Sequence, residues 1–136
     1  MGIVTRRVAW PAVPLDRTPE GFLGAGEIMV VSFDIDGTME FGNPPGPIAV
    51  ALVKAMAELG HVVGSGSDRT RTDQAQLWEA HGVDIHFVGG KHHLPDVRDR
   101  FDATRYVHIG DTDVDAHFAK AAGFDFYWSH EFDVAD

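Results

Sequence analysis

Asp34 and Asp36 stand two residues apart in Phe33-Asp34-Ile35-Asp36-Gly37-Thr38, directly after the apolar run Ile28-Met29-Val30-Val31. The apolar run reads as a buried strand. In extended chain, residues i and i+2 point to one side, so both carboxylates are expected to share a face at the strand's carboxyl end. Open α/β sheets place their chemistry there. At an effective dielectric of about 20, two like charges about 4 Å apart repel by roughly 4 kcal/mol. Such a pair calls for a metal ion, a shared proton, or both. The plainer reading is two acids that end a strand, but an apolar run leading into D-x-D-G-T is a more specific pattern than that.

Three further elements fall at expected strand ends. Ser65-Gly66-Ser67 follows Val62-Val63, Lys91 follows Phe87-Val88-Gly89-Gly90, and Gly110-Asp111-x-x-x-Asp115 follows Val107-His108-Ile109. In this order and spacing the four resemble the motifs of the haloacid-dehalogenase-like (HAD) phosphohydrolase superfamily. The resemblance covers about residues 28 to 128. It implies a Rossmann-like three-layer fold with a five-stranded parallel sheet of order 5-4-1-2-3, and a Mg²⁺-dependent phosphatase acting on a phosphorylated substrate. It also implies that Asp34, the main-chain carbonyl of Asp36 and Asp111 reach the metal, and that Asp115 helps directly or through water.

The chemistry of the residues agrees. Asp34 can attack phosphorus and form an aspartyl-phosphate, dividing one hard displacement into two easier ones. Asp36 can protonate the leaving oxygen and later deprotonate the attacking water. The hydroxyl of Ser65 and the backbone at Gly66 can hold phosphate oxygens. Lys91 supplies positive charge to the phosphoryl group and to Asp34. Mg²⁺ suits a few carboxylates, water and a substrate phosphate.

Each residue also has a bland role. Asp115 is placed to be the N3 partner of a Thr112 cap, which can coexist with a metal role. Asp113 fits a solvated first-turn acid. Ser65 and Ser67 compete for the phosphate, and Ser65 is favoured because it ends the strand. Lys91 has the alternative of a solvated loop lysine. His92 and His93 stand where the family often has proline, and without cysteine or a spaced third ligand they are a poor zinc signal. His61, His81, His86, His108, His117 and His130 read as ordinary core or surface residues. Trp10, Trp78 and Trp128 read as packing residues, with Trp128 near the site mouth.

These positions need elements to hold them. Strands are expected at Ile28–Asp34, His61–Ser65, Asp84–Val88, Tyr106–Ile109 and Phe124–Trp128. Ile48, Leu52, Val53, Met56 and Leu59 recur at helical spacing, with Pro47 in the first turn and Gly60 at the C-terminal cap. Thr70 with Asp73 resembles a capping box for a helix carrying Leu77 and Trp78 and closed by Gly82. Two more helices are expected near Pro95–Phe101 and at Asp113–Ala122. Strand–helix alternation predicts a parallel sheet covered on both faces. Residues 1–27, punctuated by Pro11, Pro14 and Pro19, form an irregular arm with a short edge strand expected at Thr5–Trp10. Its Val8, Trp10, Val13, Leu15 and Phe22 are expected to pack on the sheet edge or on a second subunit. Residues 28–136 are expected, on the resemblance, to form a single HAD-like domain.

The chain has 136 residues, a net charge of −10 and no cysteine. One core of that size needs no disulfide. The acidic balance argues against non-specific or long nucleic acid as a partner. No apolar run approaches membrane-spanning length, and Met1 to Pro14 lack the apolar region of a signal peptide. The expectation is a cytoplasmic protein with no membrane contact.

Superfamily caps are inserted after the first motif or between the second and third. Here those intervals have room for one helix and one strand each, so a capless site beneath a Met39–Pro45 flap is expected. An open site calls for a macromolecular substrate or a neighbouring subunit as its wall, and the second is preferred, making a homo-oligomer. Asp36 argues against a dehalogenase, which has no leaving oxygen to protonate, and the absence of a cap lysine argues against a phosphonatase. Receiver domains place their acids before the lysine, whereas Asp111 and Asp115 follow Lys91. The remaining rivals are a non-catalytic phosphate-sensing or assembly module and a phosphotransferase.

Overall fold

The computed structural model describes residues 18–19, 22 and 26–132. Among them are five strands, β1 (Met29–Phe33), β2 (Val62–Gly66), β3 (Phe87–Gly89), β4 (Arg105–Gly110) and β5 (Asp125–Trp128). The α-helices are α1 (Val50–Glu58), α2 (Arg71–Ala80), α3 (Leu94–Arg100) and α4 (Asp113–Ala121). Every strand pairing is parallel, in the order β3-β2-β1-β4-β5. This is the expected 5-4-1-2-3 order read from the opposite edge.

Alternation along β1 builds the layers. Met29, Val31 and Phe33 join Val53 and Met56 of α1 and Trp78 of α2 in one core cluster. Val30 faces the other way, with Leu94 and Val97 of α3 and Ala119 of α4. All five β1 residues are buried, as a central parallel strand requires. The chain winds to one side of β1 through β2 and β3, then crosses back to β4. The crevice at the carboxyl ends of β1 and β4 is therefore the switch point of the sheet.

Gly60, Gly82 and Gly123 have φ of 98°, 74° and 79° and end α1, α2 and α4 as expected. Two boundaries differ from the sequence reading by more than one residue. The α1 helix begins at Val50, not at Pro47, because Ile48 forms an isolated parallel bridge with Met39. Glu40 then accepts from the Val50 N–H at 2.6 Å, doing the capping work that the Ala49 N-cap cannot do. The third strand is shorter than Asp84–Val88 because residues after α2 are first used to close it. Val83 N–H donates to the Trp78 carbonyl at 3.0 Å, and contact with β2 starts at His86, whose N–H donates to the Val63 carbonyl at 2.8 Å.

The intervals β1–β2 and β2–β3 contain one helix each and no inserted domain. Phe41 of the expected flap packs edge-on against Trp78 at 5.0 Å and stacks on His81 at 4.4 Å, which pins this segment to α2. Among the described residues, no helix is long and apolar enough to cross a membrane.

Of the arm, Phe22 is fully buried, edge-on to Tyr127 of β5 and to Phe132 at 5.3 and 5.2 Å. The Arg105 guanidinium donates to its carbonyl at 2.7 Å. The expected edge strand and Val8, Trp10, Val13 and Leu15 lie outside the described residues. Phe22→Ala is expected to cost about 3–5 kcal/mol, the usual range for a buried Phe, read as a lower urea midpoint.

Candidate active site

The turn after β1 is built by its own backbone. Thr38 and Met39 N–H donate to the Ile35 carbonyl at 3.1 and 2.8 Å, and Gly37 N–H to the Pro44 carbonyl at 2.6 Å. Gly37 has φ 81°, and a Cβ there would overlap the Asp111 carboxylate. Glycine thus serves twice, permitting the left-handed turn and letting Asp111 of the next strand end approach it. Ser129, in the 3₁₀ turn after β5, donates to the Gly37 carbonyl at 3.4 Å.

Asp34, Asp111 and Asp115 converge, each offering one oxygen within 4.8 Å of the others. Asp34 is 4% exposed, and Thr38 Oγ1 donates to its Oδ2 at 3.3 Å. Burial first and the neighbouring Asp115 second push the Asp34 carboxyl up from 3.8 to about 8, against the pull of Lys91 and the Ile35 N–H. Asp111 Oδ1 is buried with no hydrogen-bond partner, a cost the fold has no structural reason to carry. Asp115 is fully buried. It is also the expected cap partner of Thr112, with Thr112 N–H and Oγ1–H on its Oδ2 at 3.2 and 2.8 Å.

Lys91 enters from the 3₁₀ turn after β3, 6% exposed. Its Nζ lies 3.3 Å from Asp115 Oδ1, 3.8 Å from Asp34 Oδ1 and 3.8 Å from Asp68 Oδ2. Burial works against the ammonium, but these acids outweigh it and raise its pKa. Asp34, Asp111 and Asp115 as carboxylates exceed the single Lys91 charge by two. An all-oxygen donor set, an orphaned buried oxygen and a raised carboxyl pKa together fit a hard divalent cation such as Mg²⁺.

The Asp36 carboxylate is not part of this cluster. It accepts from Asn43 N–H at 2.8 Å, from Arg69 Nε at 3.2 and 3.1 Å, and from Arg69 Nη2 at 2.9 Å. Burial opposes ionisation here, yet the Arg69 and Asn43 hydrogen bonds hold its pKa below the usual carboxylate value. Arg69 is further tied to Asp73 at 2.8 Å.

Ser65 and Ser67 are both buried but differently engaged. Ser65 Oγ donates to Gln74 Oε1 at 2.6 Å and accepts from Trp78 Nε1 at 2.9 Å. Gln74 Nε2 donates to the carbonyls of Arg69 and Gly89 at 2.8 and 3.0 Å. This network fastens the β2–α2 loop to β3 and fully engages the Ser65 hydroxyl proton. Ser67 Oγ accepts from Arg69 N–H at 3.1 Å, which leaves its own proton for another acceptor. Gln74→Ala removes three hydrogen bonds, two of them to buried partners, and leaves a cavity. Its expected cost is about 2–4 kcal/mol, with a shift in the urea midpoint and an unchanged m-value as the check.

The rings of His92 and His93 lie tilted against each other with centroids 3.9 Å apart, and His93 Nδ1 accepts from Gly90 N–H at 2.9 Å. They stay outside the acid cluster. Two participants were not visible as such in the sequence, Gln74 and His108. His108 is fully buried, with Nε2 2.9 Å from Asp115 Oδ1 and Nδ1 2.9 Å from Ser32 Oγ. The available signal was a titratable residue inside the apolar strand Val107-His108-Ile109, since a buried imidazole needs partners. Compared with known protein families, with curated proteins and with solved structures, the chain finds no match.

Proposed function

We propose that the protein is a Mg²⁺-dependent phosphatase of the HAD type, hydrolysing a phosphomonoester through an aspartyl-phosphate on Asp34. The observation that carries this reading is the buried cluster of Asp34, Asp111 and Asp115 around Lys91, at the carboxyl ends of β1 and β4, with Asp111 Oδ1 unpartnered.

Asp34 and Asp111 would hold the cation, together with the Asp36 carbonyl that the resemblance implies. When bound, Mg²⁺ supplies the positive charge that lets an anionic carboxylate approach an anionic phosphoryl group. Asp34 Oδ attacks phosphorus and the bond to the leaving oxygen breaks. Asp36 gives that oxygen a proton. Asp36 then takes a proton from water, whose oxygen attacks phosphorus and releases phosphate and the free Asp34 carboxylate. Lys91 holds charge on the transferring group. The backbone at Gly66 and the free proton of Ser67 Oγ suit the phosphate oxygens better than the engaged Ser65. Arg69 occupies both Asp36 oxygens at rest and helps hold the carboxyl ionised, so this contact opens and Asp36 takes up a proton from solvent before it reaches a leaving group.

The direct test is turnover of an aryl phosphate with Mg²⁺ and with excess chelator. The expected result is phosphate release that the chelator abolishes. Phosphate binding without turnover would support the sensing or assembly module instead, and phosphate appearing on an added alcohol would support a phosphotransferase. A panel of phosphorylated metabolites, nucleotides and phosphate-ended oligonucleotides then narrows the substrate.

A further inference from the structure

Ser32 and His108 form a polar column inside an otherwise apolar layer. They are register partners on β1 and β4, both fully buried, on the sheet face that Val30 shares with Leu94 and Ala119. Burying polar groups there is costly unless every one is bonded, and each is. Ser32 Oγ meets His108 Nδ1 at 2.9 Å, and His108 Nε2 meets Asp115 Oδ1 at 2.9 Å. An ionised carboxylate only accepts, so Nε2 carries the proton and donates. The backbone makes room for the column. A Cβ at Gly66 would lie 3.0 Å from Ser32 Oγ and 3.6 Å from His108 Cε1, and one at Gly110 would overlap the Asp115 carboxylate. Apolar side chains at 32 and 108 would serve the packing equally well, so packing alone does not explain these two residues.

The column ends on a saturated carboxylate. A carboxylate has about four lone-pair sites. Asp115 Oδ1 receives His108 Nε2 and Lys91 Nζ at 2.9 and 3.3 Å. Oδ2 receives Thr112 N–H and Oγ1–H at 3.2 and 2.8 Å. Asp111 Oδ1 has no hydrogen-bond partner among the described residues. Asp115 therefore has no lone pair to spare for a direct metal bond, whereas Asp111 has one waiting.

We propose that His108 is a positioning residue for the cation site. Backed by Ser32, it fixes the Asp115 carboxylate so that Asp115 shapes the site through Lys91 and ordered water while Asp34 and Asp111 bind the cation directly. This rests on the cation-dependent reading above. Without His108, Asp115 Oδ1 keeps only Lys91 as a partner and turns toward it, withdrawing the lysine from Asp34 and deforming the cluster.

The experiment titrates Mg²⁺ by calorimetry into the full-length wild type, His108→Leu, His108→Gln and Ser32→Ala, with circular dichroism to verify the fold. Partners that orient metal ligands typically account for about 10–100-fold in affinity. His108→Leu is expected to weaken Mg²⁺ by that range. His108→Gln, which keeps an N–H donor of similar reach, is expected to recover most of it. A purely structural role would predict stability losses with Mg²⁺ affinity unchanged and no recovery by glutamine. A folded His108→Leu that binds Mg²⁺ within twofold of wild type overturns the proposal. Should His108→Leu fail to fold, Ser32→Ala decides, since it keeps the ring and removes its support. Weaker Mg²⁺ binding is expected, and unchanged affinity overturns the proposal. A wild type that binds no Mg²⁺ at millimolar concentration overturns the cation reading itself, an outcome distinct from the others.

Discussion

Asp34→Asn is expected to lower phosphate release by about a thousandfold or more while making the cation-free protein more stable. The amide keeps the shape of the carboxylate and loses its nucleophilicity. Stability rises because the carboxyl is disfavoured where it stands, by burial first and by Asp115 second, which move it from 3.8 to about 8. The folded protein keeps this proton at pH values where the unfolded chain has released it. The associated stability is complete below about pH 4 and is lost as pH rises through about 8. Asparagine has no such proton, so in chelator the variant should stay level across that window while the parent declines. Urea midpoints at several pH values check the stability half, and aryl phosphate turnover checks the other. A variant that keeps a tenth of the parent activity removes Asp34 as nucleophile.

The second large effect is linkage to the cation. On the proposed reading Mg²⁺ binds only the folded cluster, so at a hundredfold excess over its dissociation constant it is expected to stabilise by about 2.7 kcal/mol. For a chain of this size that is a rise of about 10 °C in unfolding temperature. Asp111→Asn is expected to lose most of the shift, because Asp111 Oδ1 is the unpartnered oxygen. Ca²⁺ is expected to stabilise the fold yet support little turnover, since it favours more ligands and looser geometry. Identical melting curves in Mg²⁺ and in chelator would contradict the cation site.

The strand–helix order, the helix-ending glycines and the Thr112–Asp115 cap were legible because each follows from local chemistry. Periodicity marks a buried face, positive φ needs glycine, and a hydroxyl three residues before an acid makes a cap. The start of α1 was not legible. Pro47 is a good first-turn residue, but the Met39–Ile48 bridge overrides that preference with a contact between segments nine residues apart. The convergence of Asp34, Asp111 and Asp115 followed from placing Asp34 and Asp111 at strand ends and Asp115 in the first turn of the helix after β4. The expectation that Asp36 points the same way as Asp34 holds only for an extended chain. The backbone turns after Ile35 and aims Asp36 at Arg69. Ser65 was favoured for its strand-end position. Which hydroxyl keeps a free proton depends on Gln74 and Trp78, and those come from a different element. His108 was hidden for a similar reason, since its partners Ser32 and Asp115 are brought to it only by the sheet register and the packing of α4.

The most direct measurement is chemical trapping of the intermediate. Protein turning over an aryl phosphate with Mg²⁺ is quenched, reduced with borohydride and mapped by mass spectrometry. An aspartyl-phosphate is reduced to homoserine, so the predicted result is homoserine at position 34, absent when substrate or Mg²⁺ is omitted. Sustained turnover with unmodified Asp34, or with the modification at another carboxylate, would contradict the mechanism.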